Sequence, residues 1–182
     1  MKIFAVYAQL ELTNKPKWLE DIISNNNIEY NPHVTLKQPC NISKNEVEKA
    51  KSTLVDLFKK IKFTDHKIKL VFDRIMPDEY EECVMIEARK NPKLLNLYKK
   101  IIDTLHDHKK YCEAGMEEWE INFKPHLTIA QSLDKKTFQK IKKEIPYSFQ
   151  IKGQIKKIVF IIANEISASA SKNPDNLYTF KL

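Results

Sequence analysis

Residues 32–38 read Pro-His-Val-Thr-Leu-Lys-Gln, and residues 125–131 read Pro-His-Leu-Thr-Ile-Ala-Gln. The proline disfavours helix at the residue before it, Asn31 or Lys124, and the apolar and β-branched residues that follow favour a strand. In a strand, residues i and i+2 share a face. His33 and Thr35 therefore point one way while Val34 and Leu36 point into a core; His126 and Thr128 stand opposite Leu127 and Ile129 in the same manner. Two imidazoles facing each other form an acid–base pair near neutral pH. Two threonine hydroxyls can donate to two non-bridging oxygens of a bound phosphate. A neutral imidazole accepts a proton from an attacking water or hydroxyl, and a protonated one supplies a proton to the leaving oxygen. Such a set suits metal-free phosphodiester cleavage. Paired histidines also ligate metals, but no Asp, Glu or Cys stands at a matching motif position, so neither a metal nor a cofactor is expected.

The flanking sequence repeats as well. Pro16-Lys17-Trp18-Leu19 and Pro92-Lys93-Leu94-Leu95 each open a helical pattern upstream of a motif, with proline suited to the first turn. Leu19, Ile22 and Ile23 mark the apolar face of one helix, and Leu94, Leu97, Tyr98, Ile101, Ile102 and Leu105 that of the other. After the first motif, Ser43 and Glu46 form a capping-box signature ahead of Val47, Ala50, Leu54, Leu57 and Phe58. After the second, Ser132 or Asp134 can cap a shorter helix bearing Phe138, Ile141 and Ile145. Strands are expected at Lys2–Gln9, His66–Met76, Cys83–Ala88 and Tyr147–Ile162. The chain thus reads as one bilobal domain over 1–182, built of two strand-helix-strand-helix-strand units, roughly 1–76 and 82–162, with a closing strand at 177–181. Residues 111–124 and 164–176 read as long loops, the first either a lid or a connector.

Composition narrows the means of binding phosphate. The chain has only two glycines, Gly115 and Gly153. Dinucleotide fingerprints, Walker-type loops and kinase glycine loops all need clustered glycine, so side chains must hold any phosphate. The formal charge is +7, and Arg74 and Arg89 are the only arginines among 31 basic residues. A lysine-rich surface attracts nucleotides by point charge without bidentate base reading. Three cysteines, Cys40, Cys83 and Cys112, are odd in number and widely spaced, which fits a reducing, cytoplasmic setting and no disulfide framework. No apolar run approaches the roughly 20 residues of a membrane span, and the apolar stretch 3–8 reads as a strand and not a signal peptide.

The two His-x-Thr motifs on repeated strand–helix units resemble the 2H phosphoesterase superfamily, and more narrowly its 2′-5′ RNA ligase/2′,3′-cyclic phosphodiesterase branch. The resemblance implies an α+β fold with two antiparallel-rich sheets flanking a central groove, and metal-independent hydrolysis of 2′,3′-cyclic or 2′-5′-linked nucleotide or RNA phosphodiesters, with reverse ligation as a related activity. It makes His33 and His126 the catalytic pair and Thr35 and Thr128 the phosphate holders. His126 is taken as base and His33 as acid, although the symmetry of the motifs leaves the reverse open. Ligase-like relatives often carry an arginine shortly after the second motif; here Gln131 stands there, matching Gln38 in the first. That departure weighs against a ligase-like RNA substrate and leaves room for another small 2′-linked nucleotide. Lys37, in phase with His33 and Thr35, is a candidate for the missing charge. Tyr7, Tyr30, Phe123 and Trp119 fall near the expected groove and are candidates to stack on a base, Tyr7 and Phe123 foremost. His106 and His108, at the polar end of a helix, cannot share a face, and His66 is expected to open a strand. Two other functions are compatible with these residues: degradation of a cyclic dinucleotide signal by the same chemistry, and non-catalytic RNA binding by a basic surface. A monomer is expected.

Overall fold

A computed structural model describes residues 1–26, 30–61 and 68–181. In chain order the elements are β1 (Lys2–Leu12), α1 (Lys17–Asn25), β2 (His33–Ile42), α2 (Lys44–Lys60), β3 (Lys69–Met76), β4 (Val84–Ala88), α3 (Pro92–Thr104), α4 (Met116–Ile121), β5 (His126–Ala130), α5 (Lys135–Glu144), β6 (Ile151–Ala163), α6 (Ala168–Lys172) and β7 (Leu177–Lys181). The architecture is α+β, and every strand pairing among the described residues is antiparallel.

Period-two burial explains the strands. Phe4, Val6, Ala8, Leu10 and Leu12 of β1 are buried on one face, against the apolar stripes of the helices, while Tyr7 and Gln9 lie on the other. The helices follow their sequence signals. The α2 capping box forms, with Ser43 N–H donating to the Glu46 carboxylate over 3.1 Å, and Ala50, Leu54 and Phe58 are buried. Asn91 caps α3 by accepting from Leu94 N–H at 3.0 Å, with Pro92 in the first turn. Of the two cap candidates for α5, Asp134 serves, accepting from Thr137 N–H at 2.7 Å.

The strands form one sheet in the order β2-β1-β6-β3-β4-β5, with β7 also paired to β6. The two sheets of the expected architecture are thus continuous through β6. Residues Ile151 to Gln154 of that strand pair with β3, and Lys157 to Ile161 with β7, while β1 runs along the opposite edge. From either edge the order is motif strand, its preceding strand, then a third strand from the other half of the sequence. The motif strands β2 and β5 are the outermost strands of that order, yet they touch each other. The open sheet curls until its two edges meet without pairing. Contacts cross this seam in both directions, since α1 packs on β5 while α3 and α4 pack on β2.

Several boundaries differ from the sequence reading. β1 runs to Leu12, β4 starts at Val84 and β6 starts at Ile151, after an exposed Tyr147. His66 lies outside the described residues. The first expected long loop contains α4, preceded by Gly115 at the N-cap with φ of 82°. The second contains α6, capped by the Ser167 hydroxyl accepting from Ala170 N–H at 3.1 Å, and a 3-10 turn over Pro174–Asn176. His106 and His108 lie beyond the end of α3 and not within it; His108 packs edge-on against Phe4 at 5.5 Å. Among the described residues, no helix is long and apolar enough to cross a membrane.

Candidate active site

The prolines of the two motifs set the histidines by equivalent local geometry. The Pro32 carbonyl accepts from Leu10 N–H and the Pro125 carbonyl from Ala88 N–H, each at 2.8 Å, which fastens each motif to its preceding strand. The residue before each proline then bonds its imidazole: Nδ1 of His33 is 2.8 Å from the Asn31 carbonyl, and Nδ1 of His126 is 2.9 Å from the Lys124 carbonyl. A carbonyl only accepts, so Nδ1 carries the proton in each ring and donates it. In a neutral ring Nε2 is then a free acceptor.

Register determines the facing. Thr35 pairs with Tyr7 and His33 with Gln9, on the face opposite buried Val34; Thr128 pairs with Met85 and His126 with Glu87, opposite buried Leu127. Burial pulls both imidazoles below the usual histidine range, while the bonds to Asn31 and Lys124 push them partly back. His126 is lowered further by the charge of His33 and raised by Glu87. The two rings are therefore electrostatically coupled across the seam. An aromatic ring flanks each: Tyr7 at 5.0 Å and Tyr30 at 6.2 Å from His33, Trp119 at 5.5 Å from His126.

Two cavities adjoin His33, and His126 is in the lining of neither. One of about 280 Å³ is lined by Tyr7, His33, Thr35 and Gln38; another of about 250 Å³ by His33, Thr128 and Gln131. Tyr30, Asn31, His33 and Ile166 line both. Together the linings offer the His33 imidazole, the Thr35 and Thr128 hydroxyls and the amides of Asn31, Gln38 and Gln131 to a small polar group. Among the described residues, no group of three or more His, Cys, Asp and Glu side chains is placed to hold a metal ion.

A family model for the 2′-5′ RNA ligase superfamily matches residues 21–165, a span that includes both motifs. The chain belongs to the 2′-5′ RNA ligase superfamily. Its function is therefore of the phosphoesterase type, directed at phosphodiester bonds. Solved structures are similar to this superfamily member at low identity, and two of them share its fold at a TM-score of 0.50 or above. TT0787 of Thermus thermophilus is 12% identical with a TM-score of 0.51, covering 100% of this chain and 95% of that one. Usb1 of Kluyveromyces marxianus with uridine monophosphate is 8% identical with a TM-score of 0.50, over 99% and 98%. E. coli LigT complexed with 3′-AMP is 14% identical with a TM-score of 0.48, over 100% and 93%. No curated protein sequence matches the chain.

Two residues expected at the site of this superfamily member lie elsewhere. Between Tyr7 and Val6 the paired residue on β2 moves from Thr35 to Lys37, so β2 carries an extra residue there. This β-bulge turns Lys37 onto the core face beside Val6, away from Thr35. Lys37 is 1% exposed, and its ammonium sits 2.7 Å from the carboxylate of Glu120, which is 7% exposed. The Tyr111 hydroxyl donates to the same carboxylate at 2.7 Å, and the Tyr98 hydroxyl donates to the Glu120 carbonyl. Lys37 thus neutralises a buried glutamate and supplies no charge to the cavities. Phe123 stacks face to face on Tyr98 at 3.7 Å, which occupies a ring face that a base would need. Glu120 carried no sequence signal, because nothing in Glu117, Glu118 and Glu120 marks the one that turns inward. All three cysteines are free, and burial pushes the Cys40 thiol up to about 11.

Proposed function

We propose that the chain hydrolyses 2′,3′-cyclic phosphate or 2′-5′-linked nucleotide phosphodiesters without a metal, using His33 and His126 as the acid–base pair. The observation that carries this reading is the matched tethering of the imidazoles, each held at Nδ1 by a carbonyl two residues upstream. The Nε2 atoms are then left for substrate, with a threonine hydroxyl on the same face of each strand. Thr35 and Thr128 donate to the non-bridging phosphate oxygens. Neutral His126 takes a proton at Nε2 from water as the water oxygen bonds to phosphorus. Protonated His33 gives its Nε2 proton to the leaving ribose oxygen as that P–O bond breaks. One proton enters the pair and one leaves it, and exchange with solvent resets the two rings. The repulsion between the two rings is mutual and belongs to the pair, so the reverse assignment balances equally.

The test is a substrate panel of 2′,3′-cyclic mononucleotides, 2′-5′ oligoadenylates, cyclic dinucleotides and RNA with cyclic ends. Hydrolysis should survive a chelator, and His33→Ala or His126→Ala should each lower kcat by about 10²- to 10⁴-fold. Wild-type turnover in the His33→Ala variant would rule out the paired mechanism. Salt-sensitive RNA binding without cleavage of any panel member would favour a binding module.

A further inference from the structure

The cavity of about 280 Å³ beside His33 and Thr35 is unlike the surface around it. Ala5 and Tyr7 of β1 and Ile161 of β6 form an apolar floor. Its walls come from the two segments that contain α4 and α6, and they contribute Glu113 and Glu165. In a chain with a formal charge of +7, two carboxylates and no lysine or arginine line this cavity among the described residues. The lining of the adjoining cavity holds no carboxylate among those residues and presents Thr128 and Gln131 beside the shared His33. Thr35 and Gln38 offer a phosphate a hydroxyl and an amide beside His33 in the first cavity, as Thr128 and Gln131 do in the second, whereas Glu113 and Glu165 repel it. A ligand spanning both therefore carries its anion beside His33, Thr35 and Thr128 and a neutral, flat, hydrogen-bond-donating end among Tyr7, Glu113 and Glu165.

We propose that the first cavity is a nucleobase subsite selective for bases with an exocyclic amino group over uracil. This rests on the reading of the adjacent pair as a nucleotide phosphodiesterase. A carboxylate only accepts hydrogen bonds. Adenine, cytosine and guanine each present an amino group to it. Uracil presents one N–H between two carbonyl oxygens, which a carboxylate repels. The apolar floor and the tyrosines accept any base face, so stacking supplies affinity and the glutamates supply discrimination. Glu113 and Glu165, which repel the phosphate, are the groups that select the base.

The experiment measures binding of 3′-AMP and 3′-UMP by calorimetry, which needs no turnover, and sets it beside hydrolysis of the matching 2′,3′-cyclic nucleotides. The wild type should bind 3′-AMP about tenfold or more tightly than 3′-UMP, the size expected of one hydrogen bond to a charged group. Glu113→Gln and Glu165→Gln together should bring the ratio within about twofold, because each amide can donate to a uracil carbonyl. Both glutamates are exposed, so the variants should fold. Thr128→Ala should weaken both nucleotides and preserve the ratio. Equal wild-type affinities, no binding of either nucleotide, or an unchanged ratio in the double variant would overturn the subsite. Selective 3′-AMP binding without hydrolysis of any cyclic nucleotide would leave the subsite standing and remove the catalytic reading. Indifferent binding with hydrolysis of every base would do the opposite.

Discussion

Each histidine of this site is tuned by the two residues before it. Proline keeps the preceding residue extended, and that residue's carbonyl holds Nδ1, so the tautomer is set by backbone. Burial lowers both rings, and the sign of the consequence follows from linkage. Between the lowered values and the ordinary 6.5, the unfolded chain binds more protons than the folded one. Stability is therefore full above that ordinary value and falls as the pH drops below it. The urea midpoint should decline on acidification from about pH 7 to about pH 5, and His126→Gln should flatten that decline. A midpoint that falls equally in both proteins would assign the effect to other groups. A bound phosphate supplies the opposite charge and raises both rings again. Inorganic phosphate should thus bind with proton uptake, read as a binding heat that depends on the ionisation enthalpy of the buffer. Identical heats in two such buffers would contradict it.

Among the elements, the bulge in β2 has the largest consequence. One extra residue diverts Lys37 from the face of His33 and Thr35 to Glu120 of α4, and Trp119 of that helix lies against His126. The segment preceding the second motif is thereby anchored on the strand of the first. Removing one partner of a buried pair leaves an uncompensated charge, so Glu120→Leu should cost about 3–5 kcal/mol in urea unfolding. Lys37→Met combined with Glu120→Leu should recover most of that loss, since an apolar pair of similar volume is often no worse than the ions. If the double variant is as unstable as the single, charge burial is not the cause. The anchored Trp119 gives a second readout: variants that fold but loosen α4 should lose kcat more than they gain KM.

The whole molecule depends on a curled sheet whose edges meet at the site, and β6 runs through both halves. Gly153 of that strand is flanked by β1 and β3. A Cβ there would lie 3.2 Å from Cδ2 of Leu12 and 3.5 Å from the Glu11 carbonyl oxygen. Gly153→Ala should destabilise by about 1–3 kcal/mol through overpacking, seen as a lower melting temperature. An unchanged melting temperature would mean that Leu12 yields freely. Gly115 works differently, since its φ of 82° opens α4 where a side chain would be strained. The two glycines of the chain thus serve one close strand packing and one turn, and neither lines a cavity beside His33.

Local order in this protein was legible from residues a few positions apart. Period-two and helical apolar spacing marked the strands and the longer helices, caps such as Ser43 and Asp134 marked helix starts, and Pro-His-x-Thr placed both hydroxyls on the imidazole faces. None of these features needs a distant partner to take shape. Other features came into view only with the folded chain, because they depend on residues far apart in sequence. The bulge that inverts Lys37 exists only as a register against β1, and α4 forms in an expected loop where Gly115 turns the chain and Glu120 meets a buried cation. Phe123 is taken by Tyr98, which no spacing rule relates to it. The exchange of third strands through β6 brings the motif edges together, and so sets His33 and His126 on the two edges of one seam.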